Sequence, residues 1–418
     1  MWRSECEQSA DLAMAGGGVA DFPSMRRAGP FLHDEYAKEK LNMKRVLHVL
    51  VSLERSGMEM MLLNSAEEWR HAGYACDVVA TAPVIGPLAP ELRAAGYGVF
   101  HIPFRSNFRY APRRRFIRDF YRLCKSGYDV VHVHTEAAPH LFVILAKLAG
   151  VRRTAVTPHS LFRFSGFLRV RKALERRLNR LLGSEYGMIS NCVQKCEWER
   201  FRNRGIRISN WLDTAYFRPP TPHERSAARS SLCCQPEQFV IVSVGNCSDV
   251  KNHSEILRAV SLLPATVAPL YLHVGKERAD QQERALAAEL NLAERVRFLG
   301  SQRDPRQFLW AADVYVMPSL REGFPISALE AIASGVPAVL AYIDGLADIA
   351  AETDSVVLTT TAAQSIADGI ARVAAVQIEE RQTRALLDSS RIRERFSISN
   401  GVQSLISGLY RRDQSAAR

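Results

Sequence analysis

Residues 313–339 read DVYVMPSLREGFPISALEAIASGVPAV. The apolar run up to Pro318 predicts a buried strand, and Pro325 suits the first turn of a helix that Gly335 and Pro337 end. A strand, a short loop and a helix in this order form the repeating unit of a parallel α/β sheet. The stretch therefore predicts the fold class. It also predicts a loop at the carboxyl end of a strand, where ligands bind in open α/β sheets.

The same alternation of apolar strands and helices runs along the chain in two series. The first series extends from VLHVLV at 46–51 to RTAVTPH at 153–159, and the second from FVIVSVG at 239–245 to AVLAY at 338–342. Between them, residues 217–238 carry several prolines and few large apolar residues, which is typical of a domain boundary. The pattern predicts two doubly wound α/β domains with mainly parallel sheets.

The predicted domain limits follow from this division. We expect an N-terminal Rossmann-like domain at 43–213 and a C-terminal one at 214–395, facing each other across a cleft. Residues 1–42 contain AGGG and no sustained periodicity, so a disordered extension is expected there. Residues 396–418 are expected to form a C-terminal helix that packs back on the N-terminal domain.

Composition and charge limit the function classes. The chain has 418 residues, of which 47% are hydrophobic and 24% charged, as in globular proteins with sizeable cores. No apolar run is long enough for a membrane span, and the first residues lack the pattern of a secretory signal. The net charge is +11, yet residues 100–207 alone carry 23 Lys+Arg against 7 Asp+Glu. This uneven charge favours an anionic partner of the first domain.

One carboxylate in the opening stretch needs an explanation. Glu330 lies more than a turn inside the predicted helix and is the only charged residue between Glu322 and Asp344. An unpaired buried carboxylate is unfavourable or takes up a proton. A ligand diol such as a ribose would satisfy it, because a carboxylate can accept two hydroxyl hydrogens. An exposed helix glutamate and an internal salt bridge remain the alternatives.

Three further candidate sites lie at predicted strand ends. Lys251 begins the helix after VSVGNCSDVKN and could meet a phosphate. Gly57 follows the first strand and would let the backbone approach a ligand, although a plain glycine turn is the alternative. His159 ends the strand RTAVTPH and is a candidate for substrate contact, whereas His132 and His134 are more typical of core histidines.

The sequence predicts no metal site and no dinucleotide cofactor. Neither D-x-D nor H-E-x-x-H occurs, and the eight cysteines show no zinc spacing, which favours isolated thiols in a reducing cytosol. The G-x-G-x-x-G fingerprint is absent from the first turn, which argues against a dehydrogenase.

Taken together, the motifs resemble those of family-four retaining glycosyltransferases with the GT-B fold, a nucleotide-sugar-dependent class common in bacterial polysaccharide synthesis. The resemblance covers about residues 43–412. Its strongest element is the E-x7-E segment from Glu322 to Glu330. It extends through four further motifs in order: VHVHTEAAPH, ISNWLDTAYFRP, VGNCSDVKN and FLGSQRD.

The resemblance implies roles for residues of the C-terminal domain. Glu330 would hold the ribose hydroxyls of the donor, and Glu322 would lie near the donor sugar. Lys251 would pair with the diphosphate and stabilise the leaving nucleotide. The backbone of Gly323, Phe324 and Pro325 would face the sugar and the diphosphate.

It implies further roles around that site. Gly57 would belong to an N-terminal loop that closes on the phosphates, His159 would face the reacting sugar, and Gly300 would neighbour the base. Asn246 stands where the family usually has an arginine, so one phosphate-facing cation is replaced by an amide. Ser56-Gly57 and Asp344-Gly345 stand where the family usually has Gly-Gly.

The expected reaction is transfer of a hexose from a nucleotide-diphosphate sugar, with a UDP-sugar favoured, with retention of configuration and without a catalytic metal. The expected acceptor is a glycan or a lipid-pyrophosphate-linked sugar in cell-surface polysaccharide synthesis. The basic amphipathic segment 167–183 could lie on an anionic membrane surface, which would make the protein cytoplasmic and peripheral on the inner face of the plasma membrane. A solvated helix packed by its leucines is the alternative.

Two other functions remain open. A GT-B nucleotide-sugar epimerase would share the donor site but would need no acceptor. A basic nucleic-acid-binding protein would account for the charge of residues 100–207, but not for Glu322, Lys251 and Glu330 at strand and helix ends of one domain. We therefore expect no nucleic-acid partner.

Overall fold

The computed structural model describes residues 42–104, 114–235, 237–267 and 269–411. Two parallel sheets organise these residues, and each is flanked by helices. The expected disordered extension at 1–42 lies outside the described residues except for Asn42, and so do residues 412–418 of the expected C-terminal helix. The two doubly wound domains of the sequence-based prediction are confirmed as a fold class. Their limits remain a prediction.

The first sheet has seven strands in the order β3-β2-β1-β4-β5-β6-β7. Its strands are short and apolar, and every position of β2 is buried, as expected for a parallel sheet covered on both faces. The strands are β1 Lys44–Leu50, β2 Tyr74–Ala80, β3 Gly98–His101, β4 Val130–Val133, β5 Arg153–Val156, β6 Ser184–Met188 and β7 Ile206–Arg207.

Seven helices accompany these strands in the described residues. The chain bends at Ser65 between the first two helices, where the Ser65 side chain donates to the Met61 carbonyl oxygen at 2.6 Å. The helices are α1 Gly57–Asn64, α2 Ala66–His71, α3 Ala89–Ala94, α4 Arg114–Cys124, α5 Pro139–Leu148, α6 Gly166–Leu181 and α7 Asn191–Phe201.

The second sheet has six strands in the order β10-β9-β8-β11-β12-β13. Its strands are β8 Phe239–Val244, β9 Pro269–Val274, β10 Val296–Phe298, β11 Val314–Met317, β12 Ala338–Ala341 and β13 Val357–Thr359. Its helices are α8 Pro222–Ser231, α9 His253–Leu262, α10 Gln282–Glu289, α11 Arg306–Ala311, α12 Ile326–Ala333, α13 Asp344–Ala350, α14 Ala363–Ala375 and α15 Ile378–Arg395.

The strand order fixes where a ligand can bind. In each sheet the order reverses beside the first strand, between β1 and β4 and between β8 and β11. Loops diverge at such a switch point and leave a crevice at the carboxyl ends of the strands. The loops that follow β8 and β11 carry the candidate residues Lys251 and Glu322.

The last residues that the structure describes pack on the first domain. Among them, α16 Ile398–Leu405 is followed by a π-helical turn, Ile406–Tyr410. Gly401 lies so close to the Trp211 ring that a β-carbon there would collide with it. Tyr410 stacks on Trp69, and its hydroxyl bonds to the His132 Nδ1 at 2.8 Å. These contacts tie the C-terminal residues to the core of the N-terminal sheet.

Candidate active site

The strand, loop and helix of residues 313–339 form as predicted, with β11 leading into a loop and α12 beginning after Pro325. The loop is held from behind by the start of α13. A β-carbon on Gly345 would collide with the Glu322 carbonyl oxygen, so only glycine allows this approach. The Asp344-Gly345 pair therefore keeps the glycine that the packing requires.

Glu330 is half-buried in α12 and has no partner. No donor or cation among the described residues bonds to its carboxylate, and burial alone raises the pKa of Glu330 to about 7. An internal salt bridge, which the sequence left open, is therefore excluded within those residues. A half-buried acid with free oxygens can accept hydrogens from a ligand.

Lys251 and Glu322 form an ion pair in front of this helix. The Lys251 Nζ lies 2.8 Å from the Glu322 Oε1, and both side chains are mostly buried. The pair joins the loop after β8 to the loop after β11, as the switch-point topology predicts. The ammonium and the carboxylate are thus held close together, and a charged or polar ligand could replace either one as a partner.

The N-terminal domain closes against this loop. A β-carbon on Gly323 would lie 2.8 Å from the His159 carbonyl oxygen, and the Asn210 Nδ2 donates to the Phe324 carbonyl oxygen at 2.9 Å. A β-carbon on Gly57 would lie 3.0 Å from the Ile326 Cδ1 at the start of α12. His159, Gly57 and the Glu322 loop, predicted from distant parts of the sequence, therefore meet at one interdomain boundary.

His159 is the end of a chain of hydrogen-bonded imidazoles. Its Nε2 bonds to the His134 Nδ1 at 2.9 Å, and the His134 Nε2 bonds to the His48 Nδ1 at 2.9 Å. Burial lowers the pKa of His159 to about 4 and the pKa of His48 to about 3. The imidazole at the boundary is therefore neutral at pH 7, and its tautomer is tied to that of His134.

His48 was not among the residues predicted for the site, and both His132 and His134 were predicted to be core residues. His132 is a core residue, bonded to the hydroxyls of Tyr410 and Thr157. His134 instead connects the core to His159. The sequence does carry a signal for this histidine cluster, because His48 on β1 and His132 on β4 lie at paired positions of two adjacent strands.

The remaining predicted residues, Asn246, Gly300 and Phe324, make contacts that involve backbone groups. The Asn246 side chain accepts from the Lys276 backbone N–H at 2.9 Å, and the Gly300 carbonyl oxygen accepts from the Gly275 N–H at 2.9 Å. The Phe324 side chain is buried against Phe396, so only its backbone faces the boundary. Asn246 thus braces the neighbouring loop in this structure.

Sequence comparison identifies the family. The profile of "Glycosyl transferases group 1" matches residues 225–385, and that of "Glycosyltransferase Family 4" matches residues 55–187. The chain is a family-four glycosyltransferase with the GT-B fold. The resemblance stated from the motifs is thereby confirmed, and each profile falls on one of the two sheets.

Individual relatives of this glycosyltransferase are themselves named as glycosyltransferases. The EpsF glycosyltransferase of Bacillus subtilis is 27% identical over 326 residues, covering 71% of this chain and 79% of EpsF. An Escherichia coli UDP-Gal:α-D-GlcNAc-diphosphoundecaprenol α-1,3-galactosyltransferase is 26% identical, covering 72% of this chain and 80% of the relative. The Anabaena HepE structure with UDP-glucose superposes with a TM-score of 0.73 at 21% identity, covering 88% of this chain and 99% of HepE.

These findings bear on the alternatives. The matched profiles and the relatives named above are glycosyltransferases and lend no support to the epimerase. None of the helices in the described parts of the chain combines the length and the apolarity that a bilayer crossing needs.

Proposed function

We propose that this glycosyltransferase moves a hexose from a nucleotide-diphosphate sugar, preferentially a UDP-sugar, to a glycan or lipid-pyrophosphate-linked acceptor in cell-surface polysaccharide synthesis. The observation that carries the proposal is the partnerless Glu330 carboxylate in the helix that follows the loop of the Lys251–Glu322 ion pair. The donor named for the E. coli relative and the UDP-glucose bound to HepE support the choice of UDP.

The donor would engage the site in two places. The Glu330 carboxylate would accept the two ribose hydroxyls, which gives its unpaired oxygens the donors they lack. Lys251 would turn from Glu322 to the diphosphate, beside the N-terminus of α12, where backbone N–H groups attract anions. Glu322, released from this pair, would accept hydroxyls of the sugar.

We propose that transfer occurs with retention and without a metal ion between protein and diphosphate. As the sugar–phosphate bond breaks, negative charge grows on the leaving diphosphate, and Lys251 would stabilise it electrostatically. The acceptor hydroxyl would enter on the same side of the sugar, from the N-terminal domain. Neutral His159 would face the reacting sugar there as a hydrogen-bonding group.

The helix α6 supports a membrane-bound acceptor. Its apolar side chains face solvent, with Phe167 81% and Leu181 85% exposed, whereas its polar residues Lys172 and Arg176 are buried. The alternative of a helix packed by its leucines is therefore contradicted at Leu174, Leu178 and Leu181. The apolar stripe consists of Phe167, Val170, Leu174, Leu178 and Leu181.

Buried ion pairs explain this inverted orientation. Arg176 forms a bidentate pair with Glu197 at 2.7 and 2.8 Å and contacts Glu136 at 2.9 Å. The buried charges on α6 are thus satisfied inside the protein. We propose that the exposed stripe, with Arg177 and Arg180 beside it, rests on the anionic cytoplasmic leaflet.

Liposome co-sedimentation tests this surface. The wild-type chain should pellet with vesicles containing phosphatidylglycerol, and the double change Leu174→Glu and Leu181→Glu should abolish pelleting. Leu386→Glu, at an exposed leucine of the second domain, should pellet as the wild type does. Equal pelleting of the α6 variant would remove the membrane proposal and leave the donor site untouched.

Calorimetric titration with UDP, GDP and ADP tests the donor. We expect UDP to bind most tightly. NMR of the product formed from a UDP-hexose and a lipid-pyrophosphate sugar would then report the anomeric configuration, which should match that of the donor. Binding of none of the three nucleotides would overturn the proposal.

A further inference from the structure

A cysteine and two histidines converge in the second domain, away from the histidine chain of the first. Cys247 lies in the loop after β8, His253 begins α9, and His273 lies on β9. One ligand atom from each of the three lies within 4.8 Å of the others. We propose that this cluster, Cys247–His253–His273, is a binding site for a divalent metal ion of the zinc class.

The spacing of the atoms fits tetrahedral coordination. Zinc takes thiolate at about 2.3 Å and imidazole at about 2.0 Å, so two such ligands lie about 3.5 Å apart on a tetrahedron. The Cys247 Sγ lies 3.3 Å from the His273 Nε2. A weak S–H···N hydrogen bond would have a similar length, so the groups around the cluster decide between the two.

The surroundings favour a ligand over a simple hydrogen bond. His253 and His273 are buried, and the His253 Nδ1 has no hydrogen-bond partner among the described residues. The Ser243 hydroxyl lies 3.4 Å from the His273 Nδ1, so the Nε2 faces the thiol. Such an outer contact on the far nitrogen is usual for histidines that bind metals.

The charges around the cluster suit a doubly charged cation. The Glu283 carboxylate is buried beside the Cys247 thiol. A thiolate supplies one negative charge to a divalent ion, and the thiol proton leaves for solvent on binding. Glu283 would share its charge between the ion and Arg278, which lies 3.2 Å away and also pairs with Asp249 at 2.5 Å. Lys251 is paired with Glu322 at 2.8 Å. The fourth ligand would be Glu283 or water.

The ligand types select the metal. A thiolate with two imidazoles suits zinc, and cobalt(II) can replace it in such sites, whereas magnesium and calcium prefer oxygen ligands. The cysteine and histidines lie on a loop, a helix and a strand, at separations that match no zinc motif. The sequence alone therefore predicted no metal.

A metal ion at the Cys247–His253–His273 cluster would restrict the motion of the loop that carries Lys251. His253 is two residues from Lys251, and Cys247 lies in the same loop. We expect metal loading to lower the Kd for UDP several-fold by reducing the freedom of this loop. This consequence rests on the proposed donor site, whereas metal binding itself does not.

Cobalt(II) titration of the full chain, freed of metal with dipicolinate, tests the site directly. The wild type should bind one equivalent with a sulfur-to-cobalt charge-transfer band that zinc abolishes. Cys247→Ser should lose the band, and His253→Gln should weaken binding at least tenfold. Cys234→Ser, at a half-buried thiol elsewhere in the domain, should behave as the wild type does.

A second comparison separates the two histidine groups. His48, His132 and His134 also lie close enough to hold an ion. His48→Gln should leave the cobalt band unchanged. The proposal would be overturned by wild-type protein that shows no such band, by a band that survives Cys247→Ser, or by loss of the band in His48→Gln. None of these readouts depends on transferase activity, so failure of the metal site and failure of the proposed donor are distinguishable.

Discussion

Replacing Glu330 by glutamine should stabilise the unliganded protein and weaken its binding of UDP. The two effects have opposite signs because the carboxylate is partnerless when the site is empty and engaged when it is filled. Burial raises the pKa of Glu330 to about 7 in the folded chain. Glutamine has nearly the same shape, carries no charge and avoids this desolvation.

The stability change follows from the pKa. The folded-state pKa of this acid lies above its unfolded value of about 4.3, so the folded protein binds the proton more tightly. The associated stability is therefore present below about pH 4.3 and is lost as the pH rises through about 7. At about 1.4 kcal/mol per pH unit, Glu330→Gln should gain about 3–4 kcal/mol above pH 8 and about 1 kcal/mol at pH 5.

Scanning calorimetry at pH 5 and pH 8.5 measures this difference. A gain of about 3–4 kcal/mol should raise the midpoint for unfolding of the second domain by about 5–10 °C at pH 8.5. Glu289→Gln, at an exposed glutamate of the same domain, should leave the midpoint within about 1 °C. A loss of stability in Glu330→Gln would mean that the carboxylate has a structural partner, and it would refute the reasoning.

The binding change follows from the hydrogen bonds. Hydrogen bonds to a charged group contribute about 1.5–3 kcal/mol, so the variant should bind UDP about 10- to 100-fold more weakly. Isothermal titration at pH 8.5 gives this Kd. Unchanged affinity would equally contradict the assignment.

Three further predictions concern the same site. UDP binding by the wild type should weaken as the pH falls below about 7, because Glu330 must lose a proton to bind the diol; titrations at pH 6, 7 and 8 check this. Lys251→Gln should weaken binding of UDP about 10-fold or more but leave uridine unaffected, since only UDP carries the diphosphate. Gly345→Ala should lower kcat at least 10-fold, because its β-carbon would displace the Glu322 carbonyl; Glu289→Gln, at an exposed position of the same domain, controls for a general effect.

The fold and its switch points could be predicted because they depend on short-range patterns. Apolar runs of four to seven residues between helices specify a parallel sheet, and Pro325 and Gly335 mark the ends of α12. The loops that carry Lys251 and Glu322 followed from the strand ends. Their direct contact at 2.8 Å did not, since it depends on how two loops fold toward each other.

Features that depend on contacts between distant residues could not be predicted from the sequence. The chain from His48 to His159 joins residues more than a hundred positions apart, and the pairing of β4 with both β1 and β5 brings its members together. The sequence left open whether the apolar side of α6 faces a membrane or packs on the protein, because periodicity shows that a helix has two faces but not which face is buried. Here Glu197 and Glu136 decide it by pairing with Arg176.

The loop after β8 contains a residue whose role could not be predicted from its position in the sequence. Its sequence departs from the family at Asn246, which suggested a lost phosphate contact. In the structure this side chain instead holds the Lys276 backbone N–H. Single-position comparison could not find that role, because the partner comes from the loop after β9.

The most direct test of the central claim compares UDP with 2′,3′-dideoxy-UDP on the wild type and on Glu330→Gln by isothermal titration. If Glu330 binds the ribose diol, the substitution should weaken UDP about 10- to 100-fold and leave the dideoxy nucleotide almost unchanged. Equal loss of affinity for both nucleotides would contradict the account, because Glu330 would then act on something other than the two hydroxyls.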